Sequence, residues 1–121
     1  MSSGVQLFCE QIAGEGYSVL MDGDWIEFDY EVPAGTFCGR VVRLAMSVPK
    51  DFPVSPPGGI DFKPAMRPPN PSASHPDRSH PSNRFGPEGE YWSRPYPSWN
   101  GESDKTAATY MVWVRTLWAT T

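Results

Sequence analysis

Cysteine is scarce in this chain: Cys9 and Cys38 are the only two among 121 residues. Two are too few for a disulfide framework, and their spacing matches no metal site, so the fold has to rest on a hydrophobic core, and a reducing, cytoplasmic setting is expected. No apolar run approaches the about 18–20 residues needed to cross a bilayer. The first residues also lack the basic stretch and apolar segment of a secretory signal, so no membrane association is expected. Basic runs are missing too: ten Lys and Arg against fourteen Asp and Glu leave a net charge of −4. Without a cationic stripe, nucleic acid and anionic lipid are not expected partners. No internal repeat is visible, and the length fits a single domain spanning residues 1–121.

Proline and glycine, by contrast, are abundant, at fourteen and eleven residues. The prolines cluster between Pro49 and Pro97 and mark a long, shaped loop region rather than disorder along the whole chain. The apolar fraction is low at 39%, but 13% aromatic residues supply large side chains for a core.

Taken in order, Gly4 to Ala13 reads as a helix, with Val5, Phe8, Cys9 and Ile12 on one face and Ser3 as a possible cap. Cys9 on this reading is a small core residue. Tyr17 to Met21 reads as a short strand turning at Asp22-Gly23-Asp24. Ile26, Phe28, Tyr30 and Val32 then alternate with Glu27, Asp29 and Glu31, giving one apolar face and one acidic, solvated face. Cys38 and Gly39 belong to a turn or strand edge. From Arg40 to Val48, the residues Val42, Leu44, Met46 and Val48 recur with period two. Pro49 ends that ladder because it has no amide hydrogen. Pro53, Pro56 and Pro57 stiffen the connection before Gly58-Gly59. Ile60 and Phe62 restart the alternation, with Asp61 and Lys63 facing out. Periodicity is absent from Pro64 to Asn100. A helix follows from about Ser103 to Trp118, capped by Ser103 or Asp104, with Ala107, Tyr110, Met111, Val114, Leu117 and Trp118 forming one apolar stripe. The expected class is α+β: an N-terminal helix, a four-stranded antiparallel meander, a long proline-rich loop and a C-terminal helix packed on the sheet.

This order of elements resembles the ubiquitin-conjugating enzyme superfamily. The likeness is strongest over Val48-Pro49-Lys50-Asp51-Phe52-Pro53-Val54-Ser55-Pro56-Pro57-Gly58-Gly59-Ile60-Asp61-Phe62, the proline corner and the strand after it. His80-Pro81-Ser82-Asn83 is similar to a spaced-out form of the family's His-Pro-Asn, and Trp99 stands where the family has a Trp before its next helix. Tyr91-Trp92-Ser93-Arg94 and Pro97-Ser98-Trp99 look like the small bacterial members. The resemblance implies a ubiquitin-like protein, its adenylating activating enzyme and a protein target as partners, acyl transfer as the chemistry, and no cofactor.

The sequence departs from the family at the nucleophile, a cysteine at a Gly-x-x-Cys step after the His-Pro-Asn. Here the third residue after Gly89 is Trp92, Ser93 follows, and no cysteine occurs beyond Cys38. By alignment Ser93 is the first candidate nucleophile, with Ser98 and Ser82 behind it. His80 or His75 would act as base, and the Asn83 amide would stabilise an oxyanion. A serine forms an oxyester, which amines attack more slowly than a thioester. Two further explanations keep the fold without native serine chemistry: a cysteine-less adaptor that binds the modifier or the activating enzyme, or a chain in which serine was substituted for the cysteine. His75, His80 and Asp77 lack dependable metal-ligand spacing, so no metal is expected.

Overall fold

A computed structural model of the protein describes residues 4–64, 79–92 and 96–120, with backbone only for Ser79, His80, Pro81 and Pro87. Helix α1 (Gly4–Gly14) leads into strands β1 (Leu20–Asp22), β2 (Trp25–Glu31), β3 (Val41–Ser47) and β4 (Ile60–Lys63). Strands β5 (Ser79–Ser82) and β6 (Gly86–Trp92), a 3₁₀ turn (Trp99–Gly101) and helix α2 (Ala107–Ala119) complete the order. The class is α+β with an antiparallel sheet, as expected. The strand count is a correction: among the described residues the sheet has six strands in the order β1-β2-β3-β4-β6-β5, so the meander is extended by a hairpin whose second strand pairs with β4.

That hairpin lies inside the stretch expected to be an aperiodic loop. Its sequence hides it for physical reasons. β5 reads Ser-His-Pro-Ser, and β6 begins Gly-Pro-Glu-Gly, residues depleted in strands. β6 also turns a carboxylate inward, because Glu90 shares the core face with Trp92 and both are fully buried. Glu90 Oε2 accepts a 2.7 Å hydrogen bond from the Trp92 indole. Pairing with β4, from Ile60↔Trp92 to Phe62↔Glu90, supplies the order that composition does not.

The regular strands behave as their alternation requires. Ile26, Phe28 and Tyr30 of β2 and Val42, Leu44 and Met46 of β3 are buried, facing the helices. From α2, Tyr110, Val114, Leu117 and Trp118 close over them, and from α1, Val5, Phe8 and Ile12. The proline corner holds the two sides together. Phe52 packs edge-on to Phe8 at 5.0 Å and against Trp99 at 6.0 Å, and the Trp99 indole donates to the Pro53 carbonyl at 2.9 Å. Helix α1 lies so close that a Cβ on Gly4 would stand 2.5 Å from the Pro49 carbonyl oxygen.

Two local expectations also shift. Helix α2 starts at Ala107, and Thr106 rather than Ser103 or Asp104 caps it, its hydroxyl accepting from the Thr109 amide at 3.3 Å. Asp104 acts one step further out, accepting from the Thr106 and Thr109 hydroxyls, and the Gln11 side chain accepts from the Ala107 amide at 2.7 Å. The Ala107 and Thr109 amides of the first turn are thus met, one from α1 and one from the cap. The acidic face of β2 is only partly solvated: Asp29 and Glu31 are exposed, but Glu27 is held between Arg43 and Arg84.

Candidate functional site

On the sheet face away from the helices, Glu27, Ala45, Asp61 and Tyr91 stand in one row across β2, β3, β4 and β6. Asp61 points outward as alternation requires, but it is almost wholly covered, at 2% exposed, because the turn between β5 and β6 folds over it. Ser82 Oγ donates to Asp61 Oδ2 at 2.7 Å and accepts from the Arg84 and Phe85 amides at 3.1 and 2.9 Å. The hydroxyl therefore clamps the turn, and with its proton and lone pairs committed it is not a poised nucleophile. Burial pushes the Asp61 carboxyl above its ordinary range, against the pull of the Ser82 hydroxyl, the Arg84 and Asn83 backbone amides and the Arg84 charge.

Beside Asp61 opens a cleft of about 260 Å³, lined by Trp25, Ser47, the Gly58-Gly59 end of the proline corner, Asn83 and Tyr91. Gly59 is required there, since a Cβ would lie 2.2 Å from the Trp92 carbonyl oxygen and 3.0 Å from the Tyr91 ring. The corner motif and the His-Pro-Ser-Asn stretch, distant in sequence, meet at this cleft.

The candidate residues separate accordingly. Asn83 borders the cleft, and His80 is placed in β5 opposite Tyr91 by register. Ser82 is the buried clamp. Ser98 is exposed at the start of the 3₁₀ turn, away from the cleft lining. Ser93 and His75, like Asp77, lie outside the described residues. Trp92, the third residue after Gly89 and the one before Ser93, is fully buried, its ring 4.7 Å from Phe62 and 4.5 Å from Trp118. Asp61 was missed as a site residue; no local signal marks it, because the cover that buries it comes from residues 82–85.

An ion ladder crosses the same face. Arg84 bonds Asp22 of β1 and Glu27 of β2, both at 2.9 Å, with its guanidinium over the Trp25 ring. Arg43 bonds Glu27 at 3.0 Å and Asp29 at 3.2 Å. Burial by itself would raise the Glu27 pKa, but hydrogen bonds and charge from Arg43 and Arg84 outweigh it and hold the carboxyl low. Such a lowered carboxylate adds stability that is present above its unfolded pKa and disappears as pH falls through the folded value. Arg84→Ala is expected to cost about 1–3 kcal/mol at neutral pH. The deficit relative to wild type should shrink as pH falls through the carboxylate range. Urea unfolding of both proteins at several pH values checks this, and a pH-independent difference would rule out the ladder as its source.

Comparison with protein-family models, curated proteins and solved structures gave no match for this chain. Among the described residues, no helix is long and apolar enough to cross a membrane.

Proposed function

We propose that this chain is a non-catalytic relative of the ubiquitin-conjugating enzymes, an adaptor that binds a ubiquitin-like protein or its adenylating activating enzyme without forming a bond to the modifier. The observation that carries the reading is Trp92, a fully buried core side chain at the position where the resemblance calls for a thiol. Acyl transfer needs an accessible nucleophile with an activating neighbour, and an indole supplies neither. The clamped Ser82 hydroxyl points the same way. The order of helix, meander, proline corner and closing helix supports the family resemblance, and Asn83 beside the corner supports a shared surface there.

The test is intact-mass measurement after incubation with a ubiquitin-like protein ending in glycine, its activating enzyme and ATP, alongside calorimetric titration of the same partners. Binding without any mass adduct is the expected result. An adduct that resists thiol reductant, is cleaved by mild base and is lost in Ser93→Ala would overturn the adaptor reading in favour of an oxyester-forming transferase.

A further inference from the structure

We infer that the cleft beside Asp61 is a binding site for a primary alkylammonium group, with the ammonium at the Asp61 carboxylate and its carbon chain between Trp25 and Tyr91. The inference starts from an imbalance of charge. A buried carboxylate is stable when paired with a cation, yet Asp61 takes part in no ion pair among the described residues. Arg84, whose charge acts on Asp61, is committed to Asp22 and Glu27. The turn gives Asp61 one neutral hydrogen bond, from the Ser82 hydroxyl, with the Asn83 and Arg84 backbone amides close enough to favour its charged form, which leaves acceptor capacity on a group able to take about four.

The surroundings select the kind of cation. Asn83 and Ser47 add neutral polar atoms, and Trp25 and Tyr91 add aromatic surface, the pairing that suits an organic ammonium. A hard metal ion would need around six oxygen ligands, and this lining supplies one carboxylate that is already hydrogen-bonded. At about 260 Å³ the cleft lies below the roughly 300–1,000 Å³ of sites for drug-sized ligands, so it fits a short unbranched amine or the end of a lysine side chain. This inference does not depend on the adaptor reading, since it concerns only the walls of the cleft.

The experiment titrates the ¹⁵N-labelled full chain at constant ionic strength with n-butylammonium, with Nα-acetyl-lysine N-methylamide, and with 1-butanol as the uncharged counterpart. Saturable shifts of the Ser47, Asp61 and Tyr91 amides are expected with the amines, with 1-butanol at least about tenfold weaker and Asp61→Asn losing about tenfold in affinity. Tyr91→Leu, which leaves the turn clamp intact, should weaken binding several-fold and carries the test if Asp61→Asn does not fold. Equal response to 1-butanol, no saturable shift up to about 50 mM amine, or undiminished affinity in both variants would overturn the inference. Within the supporting outcomes, binding of the lysine derivative at least as tight as butylammonium marks a side chain presented by a polypeptide, and binding of butylammonium alone marks a free amine.

Discussion

Trp92→Ala should lower stability by about 3–5 kcal/mol, the range for deleting a large aromatic side chain from a core that cannot fully collapse. The indole packs against both Phe62 and Trp118, whose rings also meet each other at 4.9 Å, so its removal leaves two large neighbours facing a void. It also removes the N–H that Glu90 Oε2 accepts inside the core, which places the cost toward the upper end. Urea denaturation followed by far-ultraviolet circular dichroism would measure it, and a loss below about 1 kcal/mol would contradict the packing described. Trp92→Cys separates structure from chemistry: under the proposed resemblance it puts a thiol where a carrier would need one, but in a fully buried setting. The variant should be destabilised and should still form no thioester with an activated ubiquitin-like protein. Recovery of a reductant-sensitive adduct would show instead that this position reaches the surface and would count against the adaptor proposal.

Gly35→Ala should be nearly as costly, for a different reason. Gly35 sits in the turn between β2 and β3 with φ of +85°, and a Cβ there would lie 1.9 Å from the backbone carbonyl oxygen of Trp118 near the end of α2. The left-handed backbone costs an L-residue about 1–2 kcal/mol. The clash is with main chain on a packed helix, so relief requires moving α2 or the turn, a further roughly 1–3 kcal/mol of overpacking. Gly39 provides the control: its φ is +90°, but nothing lies within 4 Å of a Cβ. Gly39→Ala should show only the backbone cost. Chemical unfolding of the two variants side by side gives the difference, and a Gly35→Ala loss no larger than that of Gly39→Ala would mean that the turn does not support the helix end.

Much of this architecture was legible in the sequence where burial follows local periodicity. The alternation in β2 and β3 and the stripe of Tyr110, Val114, Leu117 and Trp118 each reflect one face meeting one core, and the structure buries those residues. The hairpin β5–β6 was not legible, because its strands are stabilised by pairing to β4 and by a buried glutamate–indole contact rather than by their own composition. The same non-local cover turned Asp61 from an expected surface residue into the buried carboxylate of the cleft, and turned Ser82 from a candidate nucleophile into its clamp. Glu27 departed from its solvated face because Arg84 returns to it across 57 positions of sequence. In each case the deciding partner lies on a different element, beyond the reach of spacing rules. The proline corner was legible as a rigid feature, but not as the place where α1, Trp99 and the cleft lining converge.

Among the described residues the sheet of six strands has two edges, and both are poor templates for a further strand. At one end β1 is only three residues long, although Leu20 and Met21 on it are about half exposed, and it ends at Asp22, which Arg84 holds. At the other end β5 is four residues long and carries Pro81, which has no amide hydrogen to offer an incoming chain. The hairpin that conceals Asp61 thus also ends the described sheet in a strand poorly suited to pair with an incoming chain.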